Sequence, residues 1–252
     1  MGVNAKLLRR SPLFAELSAA DLNAVADRAH LRWFDRGETL FRQGDEISFF
    51  YVVFDGAVKL SRVTGTGKTM VVDFRGPGQV VGGRAIVGQR RHTDDAVALE
   101  DVLVASVPLE PAVVFLASRA SAVMSLARYL ASRLDVRESM VEALSNKRVH
   151  QRLADALLEL SASLGVVADG VTVINARITQ SELAEWIGAT RETTSTLLNG
   201  LRRAGFINIV SRRIHISDPL AIEAYASVEE LPDDLSELSA ASHQEPALVR
   251  SS

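Results

Sequence analysis

The sequence predicts an α+β chain: a β-sandwich or jelly roll, then a long helix, then a winged helix-turn-helix. Three observations carry that prediction. Short segments rich in β-branched residues, separated by glycine turns, fill residues 31–107. From about Leu109 to Leu164 apolar residues recur at helical spacing instead. Thr179 to Ile216 then reads as two capped helices around a glycine, followed by an alternating hairpin.

The β region is recognised by its punctuation. Gly37, Gly44-Asp45, Asp55-Gly56, Gly76-Pro77-Gly78, Gly82-Gly83 and Gly88 separate the runs FYVVF, AVKLSRV, TMVVDF, QVV, AVAL and VLVASV. Short strands at close spacing argue for two packed antiparallel sheets and against alternating βαβ units. Ahead of it, Ser11-Pro12 opens a helical segment, and Ser18 caps a second helix with Leu22, Val25 and Ala26 inward.

In the helical region Val123, Leu126, Leu130, Leu134, Val141 and Leu144 recur at three, four or seven residues, between Arg128, Arg133, Arg137, Glu138 and Glu142. So narrow a stripe on so long a helix fits a dimer seam; a helix internal to one chain is the other reading. A further helix over 148–163 carries Val149, Leu153, Ala156, Leu157 and Leu160, and residues 165–175 read as a loop.

The helix-turn-helix is the most locally determined stretch. Thr179 and Glu182 make a capping box, Leu183, Ala184 and Ile187 give one apolar face, and Gly188 supplies the turn. Thr190 caps the second helix, with Thr194, Leu197, Leu198 and Leu201 inward and Gly205 as the stop. Ile207, Ile209, Ile214 and Ile216 alternate around Ser211-Arg212-Arg213, as a hairpin requires.

Composition sets the outer bounds. The 252 residues, 47% hydrophobic and 23% charged, suit one large folded domain or two medium ones. The absence of cysteine excludes disulfides, thiolate zinc sites, cysteine-held iron–sulfur clusters and thiol redox switching. The apolar runs are too short to span a bilayer and no signal peptide opens the chain, so the expectation is cytoplasmic residence without a membrane partner. The five histidines, His30, His92, His150, His215 and His243, have no metal-ligand spacing. No nucleophile–base set or P-loop is visible, so neither a cofactor nor an enzyme is expected. The net charge of −3 is unevenly spread. Glu229, Glu230, Asp233, Asp234, Glu237 and Glu245 crowd the end, opposed only by Arg250, and leave the rest slightly basic. Those last residues, after Tyr225, read as a disordered acidic tail.

This order of parts, with VHQRLADALLEL at 149–160 and ITQSELAEWIGATRETTSTLL at 178–198, resembles the CRP/FNR superfamily of bacterial transcription regulators. The resemblance runs from about Leu13 to Tyr225. It divides the chain into a cyclic-nucleotide-binding-like jelly roll at 1–108, a dimerisation helix at 109–146, a winged helix-turn-helix at 147–225 and the tail at 226–252. It implies a homodimer on near-palindromic double-stranded DNA, with RNA polymerase as a further partner.

A recognition helix presents its first two turns to the major groove, which makes Arg191, Glu192 and Ser195 the expected base readers. A solvated helix start is the plainer reading of the first two, since Glu192 also suits the helix dipole. A second arginine of the family falls on Thr196, which implies a different target sequence. Thr179, Gln180, Thr190, Arg212 and Arg213 are candidates for phosphate contact, and the arginines are equally explained as a solvated surface.

At the other end, the resemblance implies a glutamate for the ribose, an Arg-Ser or Arg-Thr pair for the cyclic phosphate, and hydroxyl residues on the long helix. Within Gly82-Gly83-Arg84 and on to Asp95, the glutamate position is Gly83. The pair falls on His92-Thr93 or Thr93-Asp94, and the hydroxyls on Arg137 and Glu138. The pocket is therefore expected not to take cAMP, the more so if Asp94 and Asp95 point inward. Arg84, Arg90, Arg91 and His92 can hold another anion or form a basic surface loop; haem on His30 or His92 is a third reading. The alternative to a DNA-binding regulator is an effector-sensing module whose last domain contacts protein.

Overall fold

The computed structural model describes residues 2–232 and 234–242 and separates into two compact units between Ser139 and Met140. In the first unit, two short helices, α1 (Ala5–Leu8) and α2 (Ala19–Ala26), flank a 3₁₀ turn at Pro12–Phe14. Ser18 caps α2 by accepting from the Asp21 amide at 3.1 Å. Eight strands follow: β1 (His30–Phe34), β2 (Thr39–Phe41), β3 (Phe49–Asp55), β4 (Val58–Val63), β5 (Thr69–Arg75), β6 (Val80–Val81), β7 (Asp95–Ala98) and β8 (Val102–Pro108). They form two antiparallel sheets, ordered β1-β8-β3-β6 and β2-β7-β4-β5, which is the expected jelly roll.

The period-two rule explains why FYVVF is apolar without interruption. Tyr51 and Val53 face the interior of the roll, with Phe34, Val58, Val81, Ala96, Val102 and Val104. Phe50, Val52 and Phe54 face the other way and are covered by Leu8, Phe14, Leu17, Leu22 and Leu116. A strand buried on both faces has no polar alternation to show.

The helical run after the roll is not one helix. Residues Leu109–Ala117 form α3, Ala120–Asn146 form α4, and the chain bends by 111° between them. The long helix thus begins later than 109. At the bend Arg119 stacks over Phe115 and pairs with Asp21 at 2.5 Å, so a turn with no glycine or proline is held by side chains. On α4, Val123, Leu134, Val141 and Leu144 are exposed, whereas Leu126 packs half-buried against the core and Leu130 is half-buried. Leu126 therefore lies off the exposed stripe. No single helix among the described residues is long and apolar enough to cross a membrane.

The second unit is built on α5 (Val149–Leu164), whose Leu153, Ala156, Leu157 and Leu160 are buried. The stretch expected as a loop is a hairpin, β9 (Gly165–Ala168) and β10 (Val171–Ile174), turning at Asp169-Gly170 with both φ positive. Then come α6 (Gln180–Ile187), α7 (Arg191–Arg203), β11 (Ile207–Val210) and β12 (Arg213–Ile216). The sheet order is β11-β12-β10-β9, so the wing is four-stranded and its turn is Ser211-Arg212, with Arg213 in the strand. The chain closes with α8 (Pro219–Ser227) and α9 (Ser236–Ser242).

The tail is a correction too. Over its described part, Leu238 is buried, Ser239 donates to Asp218 at 2.8 Å, and Arg148 pairs with Glu230 at 3.4 Å. His150 lies edge-on to Tyr225 and donates through Nε2 to the Val228 carbonyl at 3.0 Å, a bond that fixes the proton on that nitrogen. Charge density hid two apolar anchors, Leu235 and Leu238. Asp233, His243, Glu245 and Arg250 lie outside the described residues.

Candidate DNA interface and effector pocket

Two helix caps build the interface. The Thr179 hydroxyl accepts from the Glu182 amide at 3.2 Å while Glu182 accepts from the Thr179 amide at 2.8 Å. Gly188 ends α6 at φ 66°, the left-handed region that a side chain resists. Thr190 then caps α7 by accepting from Thr193 at 3.1 Å. Leu183, Ala184, Trp186 and Ile187 on α6 and Thr194, Leu198 and Leu201 on α7 are buried, so the second helix is fixed with its opposite face outward. Thr194 satisfies its buried hydroxyl on the Thr190 carbonyl at 2.9 Å.

That outward face presents Arg191, Glu192 and Thr196 fully and Ser195 in part, at one end of α7. Thr179 and Thr190 are exposed beside it and Gln180 is half-buried. Arg212 is exposed at the wing turn with φ 65°, and Arg213 is half-buried in β12. The turn between the helices has a brace that sequence reasoning missed. Arg152 of α5 donates to the carbonyls of Ile187 at 2.8 Å, Gly188 at 3.2 Å and Lys147 at 2.7 Å. A guanidinium at a helix C-terminus satisfies carbonyls that the helix leaves open and complements its dipole.

In the first unit a cavity of about 270 Å³ opens between the roll and α4. Gly82, Gly83, Arg84, His92, Thr93 and Arg137 line it, as the sequence implied; Glu138 is exposed and does not. At Gly83 a Cβ would lie 3.0 Å from Val80 Cγ1, so the position has little room for a glutamate stem. His92 offers no charge to a phosphate. Its ring lies flat on Phe41 at 3.4 Å, and burial pulls its pKa down against the opposing pull of Asp45 and Asp94. Asp94 lines the cavity but is paired with Arg62 at 2.7 Å, whereas Asp95 does not line it and accepts from the Gln43 backbone amide at 2.7 Å. Of the loop arginines only Arg84 reaches the cavity, Arg91 donating instead to the Gly44 carbonyl at 2.8 Å.

Of the cations lining the cavity, the sequence pointed to Arg137 but not to Arg75 or Arg133. Arg75, Arg133 and Arg137 converge on one oxygen of Asp73, at 2.8, 2.5 and 2.5 Å. Burial, then the neighbouring Arg75 charge, pulls Arg133 below its ordinary value. Gly83 and His92 thus stand where the resemblance implies a glutamate and an arginine, and an arginine cluster stands beside them.

Comparison with known proteins agrees with both halves. A cyclic nucleotide-binding domain model matches residues 31–118, and a Crp-like helix-turn-helix domain model matches residues 151–225. The chain is 33% identical over 213 residues to the global nitrogen regulator of Synechococcus elongatus, covering 83% of this chain and 93% of that one.

The chain belongs to the CRP/FNR family.

This CRP/FNR protein is also 26% identical over 213 residues to the CRP-like cAMP-activated global transcriptional regulator of Mycobacterium tuberculosis, covering 84% and 95% of the two chains. Among solved structures it is similar to a CRP/FNR-family transcriptional regulator from Thermus thermophilus, at 27% identity and TM-score 0.64 over 80% of this chain and 100% of that one. It is therefore a DNA-binding transcription regulator and not an enzyme. The family models end at Tyr225, so α9 and its anchors lie beyond the shared domain.

Proposed function

We propose that this CRP/FNR regulator binds near-palindromic promoter sites in the cytoplasm as a homodimer, reads sequence through Arg191, Glu192 and Ser195, and does so without cAMP. The observation that carries the reading is the start of α7, capped by Thr190 and held by Thr194, Leu198 and Leu201 with Arg191 and Glu192 outward. Glu192 can accept from a cytosine N4 amine, and Arg191 can donate twice to a guanine edge. Thr179, Gln180, Thr190, Thr196, Arg212 and Arg213 surround them as phosphate or secondary contacts. Dimerisation is supported by the exposed apolar positions Val123, Leu134, Val141 and Leu144, which fall on one heptad seam of α4 with Leu130. Independence from cAMP is supported by the crowding at Gly83 and the uncharged, stacked His92. RNA polymerase is the expected protein partner at such a promoter.

Selection of bound DNA from a random pool, with and without cAMP, tests this. The expected product is an inverted repeat with half-sites about 34 Å apart, unchanged by cAMP. Glu192→Ala should relax preference at one base-pair position per half-site, whereas Arg212→Ala should weaken all sequences alike and flatten the salt slope. Loss of discrimination by both variants in equal measure would remove Glu192 from its assigned role.

A further inference from the structure

Asp73 sits on β5 with a nearly fully buried carboxylate. One oxygen accepts from the Phe74 amide at 2.8 Å. The other takes Arg75, two residues on along the same strand face, together with Arg133 and Arg137, one turn apart on α4. Arg137 uses its other terminal nitrogen on the Val72 carbonyl at 2.8 Å, so the helix is tied to the strand twice. Three guanidinium groups around one carboxylate leave this corner with an excess of positive charge. The same cavity wall adds Arg84, and its acidic residue Asp94 is already matched by Arg62. Arg75 is buried, and its Nε has no hydrogen-bond partner among the described residues. Guanidinium groups this close repel, and an oxyanion among them is what makes the arrangement tolerable.

We propose that Asp73 is an internal ligand: its carboxylate stands in for an anionic effector among the cavity's arginines and holds α4 to the jelly roll without one. This rests on the reading of the pocket as one that cAMP does not control, and gives it a physical cause. The anion that a sensor would await from solution is part of the chain. A planar guanidinium prefers bidentate oxyanion partners, and here three share a single oxygen, whereas a doubly charged oxyanion offers an acceptor to each. Removing the Asp73 charge should therefore turn the cluster into a receptor for such an anion.

The test uses the full chain and inorganic pyrophosphate as probe, at matched ionic strength. Wild type should bind it only weakly by calorimetry, and Asp73→Asn at least tenfold more tightly. Asp73→Asn should also have a lowered Tm that pyrophosphate raises again, a readout that survives if the variant is largely unfolded without the anion. The double variant Asp73→Asn/Arg133→Gln, with one cation fewer, should lose much of that binding. Equal binding by wild type and Asp73→Asn, or no recovery of Tm, would overturn the assignment. Operator binding by wild type is measured alongside with and without cAMP. Dependence on cAMP there would sink the reading of the pocket, while failure of pyrophosphate alone would sink only the role given to Asp73.

Discussion

At His92 one side chain answers two questions, what the pocket excludes and how it responds to acid. Stacked on Phe41 and buried, the imidazole is held neutral, because desolvation outweighs the favourable charges of Asp45 and Asp94. A folded pKa below the unfolded value means that the unfolded chain binds the extra proton first. The stabilisation is present above the ordinary histidine value of about 6.5 and is lost as the pH falls through the lower folded value. Calorimetric melting of wild type should therefore show Tm falling on acidification below about 6.5, and His92→Phe, which keeps the stacking, should flatten that part of the profile. An unchanged slope in His92→Phe would place the acid sensitivity elsewhere. The sequence showed His92 standing where an arginine was wanted, but not that it would be stacked and uncharged. That depends on Phe41, brought beside it by the β2–β7 pairing and by the backbone bonds between His92 and the Gly44-Asp45 turn.

At the scale of elements, what was legible is what is local. Thr179, Glu182, Gly188 and Thr190 act within four residues of their partners, so the caps and turn of α6 and α7 could be read from spacing alone. The β9–β10 hairpin is equally local, Asp169-Gly170 between VVA and VTVI being a strong turn signal, but strands this short are hard to tell from a loop. The bend before α4 could not be read, because the periodicity continues through it and Arg119 finds Asp21 across 98 residues. The Asp73 cluster is the same case: two strand residues and two helix residues, each pair on one face, with nothing in the sequence to pair the pairs. Within α7, Gly200 is an ordinary helical position where a Cβ would meet only Leu235 Cδ1, at 3.6 Å. Gly200→Ala should therefore stabilise the DNA-binding unit by roughly 0.5–1 kcal/mol, the helix-propensity difference, read as a higher urea midpoint with operator affinity kept. A destabilised variant would show that the Leu235 contact is tighter than the geometry implies.

For the molecule as a whole, the part beyond the family's shared domain is the part that sequence reasoning understated. Residues 226–242 read as charge, yet the Val228 carbonyl accepts from His150, Glu230 meets Arg148, Leu238 is buried and Ser239 donates to Asp218. A chain ended after Tyr225 should lose those anchors and leave Tyr225 and His150 more open to water. We expect a Tm lowered by several degrees, in keeping with about 1–2 kcal/mol from one buried leucine and a few hydrogen bonds. A Tm equal to that of the full chain would return the tail to a passive role. The contact of Leu235 with Gly200 carries a consequence of another kind. Leu235, in the segment toward the chain's end and beyond the family's shared domain, lies beside the later turns of the recognition helix at Gly200, past the turns that carry Arg191, Glu192 and Ser195. Whatever grips that end, a protease or a binding protein, has a handle on the DNA-reading surface without competing for the DNA.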